Sequence, residues 1–300
     1  MQIPRATLES MSNPASHAAE LPSPLGGDSP ATALLLAAGR GERMRPLTDA
    51  RPKPLLTVRG KPLMQWAMEG LQRGGVTQLV INTAWLGEQI PQHFGAQFVT
   101  DKNADTATAS NLAKQAPMQL HYSHEGIDFG GALETAGGIV RALPQLSDVF
   151  WVAAGDVFAP EFVFSEQAYA SFKNSSKLAH IWLVTNPPHN PLGDFGLSAE
   201  GLALNLPKPS TPDASTTNMQ NAATTRYTFS TIALYKRVFF EAAWCDIPAG
   251  NPQGIKAPLA PMLRQAMDNQ QVSASLYTGP WTDVGTPERL AQLNQHLPRL

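Results

Sequence analysis

The stretch LLLAAGRGERMRPLTDARPKPLL, Leu34 to Leu56, joins an apolar run to a glycine turn and two spaced cations. Ala33-Leu34-Leu35-Leu36 has the length and apolarity of a core strand, and it empties into Ala37-Ala38-Gly39-Arg40-Gly41. The small residues of that turn let backbone N–H groups approach a ligand, and successive N–H groups form an anion-binding concavity. Arg43 offers a planar fork of donors to phosphate oxygens. Lys53, between Pro52 and Pro54, offers a compact charge on a segment of restricted backbone freedom. A nest with two cations suits a polyphosphate. The dinucleotide fingerprint is disfavoured, because Met44 stands where a third small residue is needed and no Asp or Glu follows a second strand at ribose spacing. A Walker-type loop needs Gly-Lys-Ser/Thr, which is absent here.

Outward from this stretch, strand and helix patterns alternate. Apolar or β-rich runs fall at Ala33–Ala38, Gln78–Ala84, Gln119–Ser123, Asp148–Ala153, Ala179–Thr185, Phe229–Tyr235 and Ser275–Tyr277. Helical patterns fall at Leu63–Arg73, Gly87–Phe94, Thr135–Leu143, Glu166–Phe172, Leu259–Asn269 and Pro287–Leu297. The alternation predicts an α/β fold: a Rossmann-like, doubly wound, mixed but mostly parallel sheet covered on both faces. In such a sheet ligands bind beyond the carboxyl ends of the strands, where Gly39 and Asp156 would lie.

Three hundred residues, 43% of them hydrophobic, can bury a large core in one domain or two, and the single signature favours one, spanning 31–300. Residues 1–30 carry Pro, Ser, Ala and Gly without an apolar centre and read as a disordered extension rather than a secretory signal. Residues 100–117 and 207–226 are Ser/Thr/Asn/Ala-rich and read as loop insertions. With 22 basic and 24 acidic residues there is no basic excess to favour nucleic acid, and no apolar run reaches the roughly eighteen residues of a membrane span. One cysteine, Cys245, excludes an intrachain disulfide, fits a reducing cytoplasm, and reads as a buried apolar residue. His121 and His124 fall on an expected strand, would point to opposite faces, and read as ordinary residues.

The full pattern LAAGxGxRMxPLT followed by PKPL resembles the signature of the sugar-1-phosphate nucleotidyltransferases, and the resemblance runs from about Ala33 to about Gln295. It implies the nucleotide-diphospho-sugar transferase (GT-A-like) fold and transfer of a nucleotide from a nucleoside triphosphate to a sugar 1-phosphate. Ala37, Ala38, Gly39, Gly41, Arg43 and Lys53 would then bind the nucleotide, with Arg43, Lys53 and Asp156 catalytic. The nucleophile, a phosphate oxygen, is already ionised. Catalysis therefore reduces to holding two polyanions in line and neutralising charge, for which magnesium on one or two aspartates suffices. Gly155-Asp156 resembles the family's first magnesium site, and Trp281-Thr282-Asp283-Val284-Gly285-Thr286 resembles the W-x-D-V/I-G-T motif whose aspartate shares the metal. Thr286 could cap the helix that starts at Pro287.

In the wider family a Gly-Thr or Glu-Thr pair at the position of Glu134-Thr135 contacts uracil or thymine, and Thr135 could also cap the helix that follows. The form LETxGGI resembles one branch, the bacterial N-acetylmuramate α-1-phosphate uridylyltransferases of cell-wall recycling. Asn82-Thr83-Ala84-Trp85-Leu86-Gly87, Gly193-Asp194-Phe195 and Phe229-Ser230 resemble that branch as well. In this branch Asp194 contacts the amino sugar, with UTP and N-acetylmuramic acid 1-phosphate as substrates. Two positions depart from it: Ala154 stands where Asn is usual, and Thr231 where Gly is usual. Trp85 and Phe195 read more readily as core aromatics than as ligand contacts. Lys208-Pro209 resembles a Lys-Pro of some relatives in which the lysine meets the sugar phosphate. Neighbouring expectations are a mannose-1-phosphate guanylyltransferase or glucose-1-phosphate thymidylyltransferase, and, from another class, a nucleotide-sugar-sensing subunit. The last is disfavoured because Arg43, Lys53, Asp156 and Asp283 are all present.

Overall fold

The computed structural model describes residues 31–100, 116–207 and 225–295. The N-terminal stretch 1–30, most of both expected insertions, and Lys208 lie outside the described residues. In chain order the strands are β1 (Thr32–Leu36), β2 (Thr57–Val58), β3 (Lys61–Pro62), β4 (Gln78–Thr83), β5 (Gln97–Phe98), β6 (Met118–His124), β7 (Val149–Ala154), β8 (Val157–Phe158), β9 (Ala179–Val184), β10 (Phe195–Leu197), β11 (Ala203–Leu204), β12 (Arg226–Lys236), β13 (Val272–Leu276) and β14 (Thr282–Asp283). One mixed sheet runs in the order β11-β10-β12-β7-β1-β4-β6-β5, with β9 paired to β12 and β13 to β9. Its centre, β7-β1-β4-β6, is parallel. The flanks are antiparallel where β12 meets β7 and β5 meets β6.

The period-two alternation of the central strands sends side chains into two layers. Leu34, Val80, Phe150 and Val152 enter one core with Ile139 and Val140 of the helix Glu134–Ala142 and Leu263, Ala266 and Met267 of the helix Leu259–Asp268. Ala33, Leu35, Leu79, Ile81, Trp151 and Ala153 enter the other with Met64, Met68 and Leu71 of the helix Leu63–Arg73. Their spacing at i, i+4 and i+7 gives that helix one apolar face. Burial on both faces is why the central strands read as continuous apolar runs. The long expected elements have counterparts here. The strands β8, β10, β11 and β14 had no such expectation, because two or three residues carry no measurable period.

β1 lies between β4 and β7, and both run parallel to it, so the chain reverses its direction of winding across the sheet at this strand. Leu36 is in register with Asn82 on one side and Ala154 on the other, which brings three chain segments to one sheet edge. Single side chains pin the stems of both insertions. The buried amide of Gln72 donates to Phe98 and Ala116 carbonyls and accepts from Thr100, and Arg226 donates to the carbonyls of Leu206 and Pro207. Cys245 is buried, as expected. Among the described residues no helix is long and apolar enough to cross a membrane.

β12 carries an irregularity between Phe229 and Ala233 in its pairing with β9, and Thr231 within it has φ +62°. That left-handed conformation is unfavourable for a β-branched residue and free for glycine. Thr231→Gly is therefore expected to raise the melting temperature by roughly 2–4 °C. Relief of about 1–2 kcal/mol of backbone strain outweighs the added freedom of glycine in the unfolded chain. A lower melting temperature would show that the Thr231 hydroxyl, 2.6 Å from the Ser230 carbonyl, matters more than the strain.

Candidate active site

Two adjoining cavities open along the carboxyl ends of the central strands. The first, about 430 Å³, is lined by Ala37, Ala38, Gly39, Arg40, Lys53, Asn82, Glu125, Glu134, Thr135, Ala154 and Asp156 among others. The second, about 340 Å³, is lined by Asp194, Phe195, Phe229, Tyr235, Leu263 and Arg264 among others. Leu36, Glu134, Thr135 and Thr231 belong to both walls, so the two form one cleft with two ends.

The turn after β1 divides its glycines by role. A Cβ on Gly39 would meet no atom within 4 Å, so the protein's own packing does not require glycine there. Gly41 has φ +66°, and a Cβ on it would come within 3.1 Å of Thr48 and 3.3 Å of Lys53. Gly41 is thus demanded by the fold, and it does not line the cavity. Arg43 is exposed on the one-turn helix Glu42–Met44, away from the cavity walls. The guanidinium that does line the wall belongs to Arg40, packed 3.6 Å from the Trp85 ring centre and bonded to the Thr48 carbonyl. Trp85 in turn donates its indole N–H to the same carbonyl at 2.8 Å.

The Ala37 N–H, expected to face a ligand, donates instead to Asn82 Oδ1 at 2.7 Å. Asn82 Nδ2 donates to Glu125 Oε1 at 2.8 Å, and Glu125 Oε2 accepts from the Leu133 N–H at 2.7 Å. Glu125 is fully buried, and burial pushes its carboxyl above the usual carboxylate range against the opposing effect of those two bonds. The three contacts tie the turn after β1 to the end of β4 and the start of the helix Glu134–Ala142. Glu125 escapes a reading of the sequence because a lone acid after a strand looks like a turn residue.

That helix begins at Glu134 with Leu133 at the cap position and no side-chain cap, so Thr135 is not its cap. The carbonyl of Ala257 accepts from Ala136 and Gly137 at 2.9 and 3.1 Å and satisfies the first turn from outside. Thr135 and Glu134 both line the cleft instead, Glu134 with φ +62°. Gly137 and Gly138 are approached closely by the protein's own atoms. A Cβ on Gly137 would fall 2.4 Å from the Ile255 carbonyl, and one on Gly138 would fall 2.6 Å from Glu125.

Asp156 and Asp283, remote in sequence, meet through β8 and β14. Asp283 is in register with Val157, and the Val284 N–H donates to the Asp156 carbonyl at 2.9 Å. Lys53, nine-tenths buried, places Nζ 2.5 Å from Asp156 Oδ2. Asp283 Oδ1 lies 2.6 Å from Arg289 Nη1 and 2.7 Å from His189 Nε2. Thr286 Oγ1 lies 3.4 Å from the Arg289 N–H, at the start of the helix Pro287–Gln295 as expected of a cap. Asp156, just before β8, lines the first cavity, Asp283 on β14 is not among the lining residues of either, and both carry hard carboxylate oxygens. Magnesium takes one or two carboxylates and keeps several waters, which a pair of aspartates can satisfy; among the described residues no group of three or more metal-ligating side chains exists.

Asp194 accepts from the Phe229 N–H at 2.9 Å and from Asn190 Nδ2 at 3.2 Å, which fixes its carboxylate in the wall of the second cavity. Phe195 is buried, as a core aromatic would be, and lines the same cavity; Ala154 lines the first.

Residues 32–299 match the family model described as nucleotidyl transferase. The chain is 42% identical over 266 residues to an N-acetylmuramate alpha-1-phosphate uridylyltransferase of Neisseria meningitidis serogroup B, covering 87% of this chain and 95% of that protein. A protein of the same name from Caulobacter vibrioides is 29% identical over 179 residues, 58% of this chain and 67% of its own. Among solved structures, a Bacillus anthracis protein described as a glucose-1-phosphate thymidylyltransferase superposes with a TM-score of 0.64 over 88% of this chain and 94% of its own, at 17% identity, which speaks for the fold alone. On the family match across nearly the whole described chain, this protein belongs to the nucleotidyl transferase family of enzymes.

Proposed function

We propose that the chain transfers a uridylyl group from UTP to N-acetylmuramic acid 1-phosphate, and that residues 31–300 act as one catalytic domain. A phosphate oxygen of the sugar 1-phosphate forms the new bond to the α-phosphorus of UTP, the bond to the β-phosphate bridge breaks, and UDP-N-acetylmuramic acid and pyrophosphate leave. The observation that carries this reading is the 42% identity extending over 95% of a relative of that name. The two-ended cleft supports it, with a cationic turn in one cavity and Asp194 in the other. A reducing cytoplasm, where both substrates would be found, fits the single buried cysteine.

In this reading Ala38, Gly39 and Lys53 receive the triphosphate, and Arg43, exposed on its turn, serves the outer phosphates. Ala37 and Gly41 shape the turn. Glu134 and Thr135 face the base. Ala154 and Asp194 face the sugar. Asp156 and Asp283 would hold a magnesium ion, which supplies charge neutralisation at the phosphates when bound. Pyrophosphate release measured across four nucleoside triphosphates and several sugar 1-phosphates tests the reading. A preference for GTP with mannose 1-phosphate, or for dTTP with glucose 1-phosphate, would overturn it.

The acceptor-only Glu125 carboxylate sets the polarity of the chain that runs from Leu133 through Asn82 to Ala37. Glu125→Gln brings a donor where two donors already point, so one N–H is left unpaired. Loss of a buried partner amounts to about 1–3 kcal/mol, and kcat/KM for UTP should fall about ten- to a hundredfold. Asn82→Asp combined with Glu125→Gln restores alternating donors and acceptors and should recover most of that loss. If the losses of the two single variants simply add in the double variant, the chain does not work as a unit.

A further inference from the structure

We infer that Arg264 is the specificity residue that recognises the second anionic group of the sugar substrate, the carboxylate of its lactyl ether. This rests on the muramate reading given above. N-acetylmuramic acid differs from N-acetylglucosamine by a lactyl ether on O3, and at neutral pH that ether ends in a carboxylate. A site that accepts this sugar 1-phosphate must therefore place two negative groups on one ring, the phosphate at C1 and the carboxylate reaching out from O3. The phosphate belongs to the end of the cleft that holds Lys53. The carboxylate needs a cation at the other end.

Among the described residues Arg264 is the only Lys or Arg in the wall of the second cavity. Its guanidinium lies 5.0 Å from the ring centre of Phe195, which lines the same cavity and presents an aromatic face to the cation. Its hydrogen bond to the described residues runs from Nη1 to Asn205 Oδ1 at 2.6 Å. Asp268, one helical turn further along the same helix, does not pair with it. Both Asp268 oxygens instead accept from Asn205 Nδ2, at 3.0 and 3.1 Å. The carboxylate thus orients the amide and the amide orients the guanidinium. The arrangement holds Arg264 in place through a neutral group and leaves its charge without an ion-pair partner among the described residues.

A second cation lies nearby and does not neutralise the first. Arg226 spends its donors on the carbonyls of Leu192, Gly193, Asp194, Leu206 and Pro207, all neutral. Burial weakens its hold on its proton, and the neighbouring Arg264 cation adds to that, with Asp194 acting in the opposite sense. Arg226 does not line the cavity, so the guanidinium presented to its interior is that of Arg264. Arginine suits a carboxylate in particular, because its planar fork matches the two oxygens. Asp194 at the same cavity is already oriented by Phe229 and Asn190 and carries the wrong sign for this task.

The test compares Arg264→Gln and Arg264→Lys with the wild-type chain on N-acetylmuramic acid 1-phosphate, its neutral carboxamide, and N-acetylglucosamine 1-phosphate, each with UTP. For the wild type, the carboxylate substrate should be preferred over both neutral ones. Arg264→Gln should lower kcat/KM for the carboxylate substrate about ten- to a hundredfold, mainly through KM, as expected for loss of a charged hydrogen-bond partner. The KM for UTP and the rates with both neutral sugars should stay within about twofold. Arg264→Lys, which keeps the charge and loses the fork, should fall between. Equal losses on all three sugars, or none, would overturn the assignment of Arg264 while leaving the proposed reaction standing. A wild-type chain that ignores N-acetylmuramic acid 1-phosphate would remove both. Should Arg264→Gln fail to fold, the lysine variant and the carboxamide on wild-type enzyme decide. Wild-type indifference between carboxylate and carboxamide would overturn the assignment without any substitution.

Discussion

Asp156→Asn is expected to lower kcat on the order of a thousandfold while shifting the melting temperature by no more than a couple of degrees. The large effect follows from the proposed assignment of Asp156 and Asp283 to one magnesium ion, whose stabilisation of charge on the reacting phosphates would amount to several kcal/mol. The small structural effect follows from geometry. The contact that fastens β8 to β14 here uses the Asp156 main-chain carbonyl, which the substitution leaves in place. The side chain is 40% exposed, and asparagine can still accept from Lys53 through its amide oxygen. Activity and thermal melting measured on the same preparation separate the two. A near wild-type rate at saturating magnesium would remove Asp156 from the metal site.

The parts of this fold that could be read from sequence are those whose physics is local and periodic. β1, β4 and β7 are buried on both faces, so their apolar runs stand out, and Met64, Met68 and Leu71 repeat at helical spacing. The turn after β1 announces itself because small residues and prolines constrain the backbone wherever they occur. What could not be read depends on segments remote in sequence meeting in space. β8 and β14 have two residues each, and only their pairing puts Asp283 beside Asp156. Arg40 and Arg43 look interchangeable on paper. A three-residue helical turn decides that Arg40 lies in the cavity wall against Trp85 while Arg43 faces solvent. Arg264 sits on the polar side of an amphipathic helix, which in a sequence reads as a solvated face. It becomes interesting only once Phe195 and Asn205 arrive from elsewhere. Thr135 fits a helix cap by residue type. The cap was unnecessary because a distant carbonyl, that of Ala257, already serves the helix start.

Lys53→Ala should lower kcat about a hundred- to a thousandfold, because a fixed cation beside the reacting phosphates stabilises charge that grows in the transition state and water does so less well. Unlike a solvated lysine, this one is 9% exposed in its side chain, and its stem packs where a Cβ on Gly41 would come within 3.3 Å. Alanine therefore removes apolar contact as well as charge, and some loss of melting temperature is expected alongside the loss of rate. Lys53→Met separates the two contributions. Methionine refills the channel with an unbranched apolar chain, and Asp156, exposed enough to be hydrated, does not need a protein cation to remain charged. The methionine variant should melt close to wild type and still be slow. In the proposed reading the ion pair to Asp156 acts mainly to hold the ammonium where phosphate oxygens would arrive. If Lys53→Met keeps more than about a fifth of the wild-type rate, the lysine serves the fold and the phosphates are held by Arg40 or Arg43.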